Sequence, residues 1–159
     1  MLRGAAVNRA INVWTDGACQ PNPGAGGWGF TMRGPCGAVT EAIGGDTLTT
    51  SNRMELSAAL AALRAVPDGA SVIAHSDSTY VVHGMQSWRH AWRKRDWRTK
   101  KGEPIPNTDL WQLLDQQAQR LHCRFCWLRG HAGDPGNERA DALAAAGRAG
   151  VLATGSVQP

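Results

Sequence analysis

No run of 18 apolar residues occurs anywhere in the 159-residue sequence, so no segment reads as a membrane-spanning helix. The opening residues, MLRGAAVNRAIN, lack the continuous apolar core of a secretory signal. Internal repeats and linker-like stretches are also missing, and 159 residues suffice for one domain with a sizeable core. Cysteine is sparse, at positions 19, 36, 123 and 126. Cys123 and Cys126 form a CxxC, but HCRFCWLRG alternates like a strand. Residues three apart on a strand point to opposite faces and cannot easily share a metal. The thiols are therefore expected to be structural or incidental, which suits a reducing cytoplasm.

The most informative absence lies between Asp16 and Arg33, where no charged residue occurs. Five glycines and two prolines fill that gap, so nothing nearby can neutralise Asp16. Charge is concentrated elsewhere. Residues 88–101, WRHAWRKRDWRTKK, hold seven Lys/Arg and one Asp, a local +6 within a chain of net +4. A basic lobe on a slightly acidic body points to a polyanion partner. Trp88 and Trp92 stand i,i+4 and are expected to pack the lobe onto the body, leaving its cations for phosphate.

Periodicity gives the order β-β-β-α-β-α-α-β-α. INVWTD (11–16) reads as a strand ending at Asp16, and GGWGFTMRG and GAVTEAIGG as two more around a GPCG turn. SNRMELSAALAALRAV places Leu56, Ala59, Leu60 and Leu63 on one helical face. ASVIAHSD is a strand ending at Asp77. STYVVHGMQSW opens a helix, the basic lobe follows, and TDLWQLLDQQAQRL is helical again. CRFCWLRG is the fifth strand, and HAGDPGNERADALAAAGRAG a loop and helix with Pro135 near its start. The expected fold class is α/β: one five-stranded mixed sheet flanked by helices. Residues 1–9 are expected to be a loose leader, 10–148 the single domain, and 149–159 a flexible tail.

Three acids stand out by position. Asp16 and Asp77 each end a strand, where ligands bind in open α/β sheets. Glu55 lies in the expected first turn of its helix, at the edge of the apolar stripe. If the first and fourth strands are neighbours, Asp16 and Asp77 converge, and their like charges then call for a cation. A hard divalent ion such as Mg²⁺ suits carboxylates without Cys or His neighbours. Taken singly, each acid also has a plainer role: an Asx turn for Asp16, a capping box with Asn52 for Glu55, a helix cap for Asp77, a solvated helix position for Asp141.

Five segments in order, TDGACQPNPGAGGWGF, TTSNRMELSAALAAL, SDSTYV, DLWQLLD and RGHAGDPGNERADALA, resemble the successive motifs of type 1 ribonuclease H across roughly residues 10–148. The basic segment 88–101 resembles the basic protrusion of bacterial members. The resemblance implies the ribonuclease H-like fold and hydrolysis of the RNA strand of RNA–DNA hybrids, giving 5′-phosphate and 3′-hydroxyl ends. It assigns Asp16, Glu55, Asp77 and Asp141 as catalytic metal ligands for two Mg²⁺ ions, with Mn²⁺ a possible substitute, and His131 to proton transfer or product release. It matches Asn22 and Asn52, with backbone around Gly17 and Cys19, to positions that read the hybrid minor groove. Thr50 and Ser51 are expected to meet a DNA-strand phosphate, and Arg93, Lys94 and Arg95 to grip phosphates. Ala18 and Thr79 depart from the usual Ser/Thr and Gln. A monomeric, cytoplasmic enzyme is expected, with a non-catalytic hybrid- or duplex-binding module of the same fold as the alternative.

Overall fold

A computed structural model describes residues 9–155. Strands β1 (Ile11–Cys19), β2 (Gly24–Arg33) and β3 (Val39–Thr49) form an antiparallel meander. Helix α1 (Ser51–Arg64) then crosses to β4 (Ser71–Ser76), which pairs parallel with β1. A nearly continuous helical segment follows: α2 (Thr79–His83), a single π turn (Gly84–Trp88) and α3 (Arg89–Lys94). Helix α4 (Thr108–Arg120) leads to β5 (His122–Trp127), parallel to β4, and α5 (Pro135–Thr154) closes the fold. The sheet order is β3-β2-β1-β4-β5. The α/β mixed sheet expected from periodicity is present, with β1 and β4 adjacent as the convergence of Asp16 and Asp77 requires.

The apolar stripe of α1 is buried as its spacing predicts: Leu56, Ala59, Leu60 and Leu63 are at most 5% exposed. Val13, Val72, Ala74 and Phe125 meet it from the sheet, and Trp111 from α4. Trp92 packs on Trp111 with ring centroids 5.1 Å apart, and Trp88 meets Trp92 at 5.8 Å with the rings tilted by 51°. These rings seat the basic lobe on the body. Beneath them the buried carboxylate of Asp115 accepts from Arg89 Nη1 at 2.7 Å, Arg93 Nε at 3.0 Å and Gln119 Nε2 at 2.8 Å. Burial pushes the Asp115 carboxyl up, but the two guanidiniums outweigh it and hold it below its ordinary value.

Two boundaries and one cap differ most from the sequence reading. Strand β1 does not end at Asp16; it continues to Cys19, because its ladder with β2 runs on through Asp16↔Gly29 to Cys19↔Gly26. The apparent glycine-rich loop is therefore two paired strands and the turn Gln20–Pro23. Helix α1 starts one residue after Thr50, whose Oγ1 accepts from Arg53 N at 3.2 Å, so Asn52 is no cap and Glu55 lies in the second turn. Residues 149–154 are not a loose tail. Helix α5 continues to Thr154 because Val151, 2% exposed, packs against Gly45, and Gly155 at φ 81° ends it. The rest of the expected tail, 156–159, and residues 1–8 of the leader lie outside the described residues.

Close approach explains the glycines of β2. A Cβ at Gly27 would stand 2.0 Å from Arg148 N and 2.4 Å from Ala144 O, both backbone atoms of α5. Helix α5 thus rests directly on the strand. Gly27→Ala is expected to destabilise the fold by about 2 kcal/mol or more, since backbone cannot yield as a side chain can. A urea midpoint equal to that of the unsubstituted protein, at constant m, would contradict this packing.

Candidate metal centre

The site forms where β1 and β4 end their parallel pairing. Their last ladder partners are Thr15 and Ser76, so the next residue on each strand, Asp16 or Asp77, emerges at the same level. Helix α1 supplies the third acid. A Cβ on Gly17 would lie 2.4 Å from Glu55 N, so only glycine after Asp16 lets α1 come this near. Carboxylate oxygens of Asp16, Glu55 and Asp77 all lie within 4.8 Å of one another. Asp141, exposed two turns into α5, stands outside that trio and adds the least of the interactions that raise the Asp16 pKa.

Asp16 is 6% exposed and accepts from Gly17 N–H at 2.9 Å. Burial, reinforced by the charge of Asp77, raises its pKa from 3.8 to about 7. Burial, with Asp16 next in importance, also raises Glu55 well above its ordinary value. The Oε2 atom of Glu55 is buried without a hydrogen-bond partner. An orphaned buried acceptor among crowded carboxylates, with no Lys or Arg paired to them among the described residues, is the donor set a hard divalent cation takes. The acids expected from sequence fit such an ion.

Asn137 was absent from the sequence expectations. It is 4% exposed, and its Nδ2 donates to Asp77 Oδ2 at 3.3 Å. The signal was the DPGN start of α5: Asp134 caps the helix by accepting from Asn137 N at 2.8 Å, which turns position 137 inward. Gly130 also lies against this carboxylate, its Cβ position 2.6 Å from Asp77 Oδ2. His131 is exposed on the same loop, at φ 54°. Ser78, not Asp77, caps α2, leaving the Asp77 carboxylate free for the cluster.

The expected substrate residues divide. Asn22 is exposed in the β1–β2 turn, and its Oδ1 accepts from Ser51 N at 3.3 Å, leaving its amide hydrogens outward. Thr50, Ser51 and Asn52 surround the same point at the start of α1. The Gly17 amide is committed to Asp16, and the Cys19 thiol faces the Pro21, Gly24 and Thr49 carbonyls. Arg93, expected from sequence to grip phosphate, is also held by Asp115 and so anchors the lobe, with its side chain still 42% exposed. Lys94 and Arg95 are exposed, with no ion pair among the described residues. The four cysteines are free thiols.

A sheet in this order, a crossing helix that adds an acid, and a cluster of carboxylates at the strand ends define a metal-dependent nuclease architecture. A family model described as RNase H matches residues 8–149. The ribonuclease H of Bordetella pertussis is 49% identical over 144 residues, covering 90% of this chain and 92% of that protein. That of Paracoccus denitrificans is 49% identical over 144 residues, covering 88% and 93%. Among solved structures, LC9-RNase H1, a type 1 RNase H with the type 2 active-site motif, matches with a TM-score of 0.77 at 32% identity. That match covers 89% of this chain and 73% of the other. The chain belongs to the ribonuclease H family and is an enzyme of that class.

The crowded acids set a pH dependence for the metal-free protein. The Asp16 pKa is raised in the folded state, so its contribution to stability is complete below about pH 4 and is lost as pH rises through about 7. At pH 8 without divalent ions, Asp16→Asn should therefore raise stability by on the order of 1 kcal/mol or more. For a domain of this size that is at least about 2–4 °C in Tm. A variant melting at or below the unsubstituted protein under these conditions would show that the carboxylates do not repel as described.

Proposed function

We propose that this chain cleaves the RNA strand of RNA–DNA hybrids by metal-dependent phosphodiester hydrolysis, giving 5′-phosphate and 3′-hydroxyl ends. The observation that carries the reading is the convergence of Asp16, Glu55 and Asp77 within 4.8 Å, with Glu55 Oε2 buried and unpartnered. These three and Asp141 would hold two Mg²⁺ ions, or Mn²⁺ in their place, with Asp16 serving both. When bound, the ions supply an activated water and the positive charge that offsets a pentacoordinate phosphate.

The remaining steps fall to the protein's own groups. Asn137 fixes the Asp77 carboxylate, so that its free oxygen keeps one direction. His131, exposed on the loop before α5, would move a proton or assist product release. Asn22 and Asn52 would present amide donors to the wide minor groove of an A-like hybrid, where 2′-hydroxyls mark the RNA strand. The Thr50 and Ser51 hydroxyls stand beside them at the start of α1, placed for a phosphate of the DNA strand. Lys94 and Arg95 would hold phosphates further along the duplex, with slight sequence preference because none of these contacts reads the major groove.

All the acids of the cluster come from one chain, which supports action as a monomer. The free thiols suit the cytoplasm.

Asp77→Asn removes one ligand charge and keeps the shape. It should abolish Mg²⁺-dependent cleavage of labelled hybrid while hybrid binding stays within about threefold, a change under 1 kcal/mol. Substantial turnover by that variant would sink the metal assignment, and hybrid binding without any cleavage by the unsubstituted chain would favour a binding module.

The lobe makes a separate expectation. Each phosphate contact contributes about 0.7–0.9 to the slope of log K against log salt. Replacing Lys94 and Arg95 by Ala should flatten that slope by up to about 1.4–1.8 and raise KM, with kcat little changed. An unaltered slope would place these cations away from the duplex.

A further inference from the structure

Helix α5 presents Asn137, Asp141, Ala144 and Arg148 at spacings of four, three and four residues, a single stripe along one face. Each member meets the site or its approach. Asn137 donates to Asp77, and Asp141 lies on the side of α5 whose charge is felt at Asp16. Ala144, fully buried, brings its carbonyl against Gly27. Arg148 ends the stripe, directing Nε and Nη2 onto the carbonyl of Gln20, with Nε at 3.1 Å.

Gln20 opens the four-residue turn Gln20–Pro23 that carries Asn22. Pro21 and Pro23 have no N–H, so the turn has few backbone donors with which to fix itself. Gln20 N donates to Ala25 O and the Cys19 thiol to the Pro21 carbonyl, each at 3.3 Å, and two side-chain ties bind the turn to the flanking helices. Asn22 Oδ1 ties it to the Ser51 amide of α1, and Arg148 ties it to α5. Seven residues separate Asp141 from Arg148, a rise of about 10 Å along a rigid helix. The helix that contributes an acid to the metal cluster thus also sets how far from that cluster the Asn22 turn stands.

We propose that Arg148 is a positioning residue for substrate binding: it clamps the Gln20 carbonyl so that the Asn22 turn meets the hybrid groove in register with the acidic cluster. The proposal rests on the reading of Asn22 as a groove contact. Arg148 itself touches neither nucleic acid nor the reacting atoms, and its guanidinium is spent on a neutral carbonyl. Its effect therefore belongs to KM, through the ordering of the turn, with kcat unaffected because the acids stay in place.

The test measures steady-state cleavage of a hybrid with Mg²⁺, the salt dependence of hybrid binding, and the urea midpoint, for Arg148→Ala, Arg148→Lys and Asn22→Ala. Arg148→Ala should raise KM about three- to tenfold, equivalent to the loss of one ordering contact, with kcat within about twofold. Its salt slope and urea midpoint should stay unchanged. Arg148→Lys, which can still reach the carbonyl with one donor, should recover most of the KM. An unchanged KM in Arg148→Ala overturns the proposal. So does a slope flatter by about 0.7–0.9, which would make Arg148 a direct phosphate contact. A fall in kcat matching the change in kcat/KM also overturns it, as would a lowered urea midpoint with no KM recovery in Arg148→Lys. The underlying reading fails separately, by an unchanged KM in Asn22→Ala.

Discussion

Three carboxylates held within 4.8 Å of one another, partly out of water and without a protein cation among them, form an arrangement that folding alone disfavours. Burial and mutual repulsion drive the Asp16 pKa to about 7, so near neutrality part of the population must keep a proton there or accept an unfavourable charge. The protein tolerates this because the positions are over-determined from outside. Asp16 is fixed by the ladders of β1 with both β2 and β4, Asp77 by the parallel register and Asn137, and Glu55 by the packing of α1. A divalent cation held by these carboxylates would relieve that repulsion, and the relief would add to its binding.

Glycine makes this geometry attainable. At Gly17 the missing Cβ lets α1 approach β1 until Glu55 stands beside Asp16. At Gly27 and Gly29 it lets α5 lie on β2, and Gly147 returns the favour by fitting against the Gly44 carbonyl, 2.3 Å from where its Cβ would be. Two helices on opposite sides of the meander are thereby drawn close enough for their side chains to reach one cluster. From sequence, the glycines between Asp16 and Arg33 stand out as a stretch with no charge to neutralise Asp16. Most of them serve helix-to-strand contact, and the turn itself is only the four residues Gln20–Pro23.

What the sequence disclosed follows the range of the interactions concerned. The α/β order and the α1 stripe rest on local periodicity, and both could be read directly. The acids could be singled out because Asp16 and Asp77 stand at the level where parallel strands end, a pattern visible without coordinates. Long-range pairing was not legible. Nothing within GACQPNP announces that β1 continues to Cys19, since its partner strand supplies the ladder. Val151 extends α5 only because Gly45 leaves room for it. Asn137 was overlooked for a similar reason: its orientation depends on Asp134 capping the helix, and its partner is 60 residues away.

Arg93 exposes the limit of charge counting. The +6 of residues 88–101 treats all cations alike, yet the fold divides them by what lies beneath. On the inner side of α3, Arg89 and Arg93 converge on one buried carboxylate, where losing either partner would leave charge poorly compensated in a low-dielectric setting. Lys94 and Arg95, one and two residues further on, have no such partner and face water. The same short helix therefore uses arginine's forked donors to build the lobe and leaves the next two cations exposed. That division follows from Asp115 on α4, so an acid distant in sequence determines which basic side chains are tied down and which stay exposed.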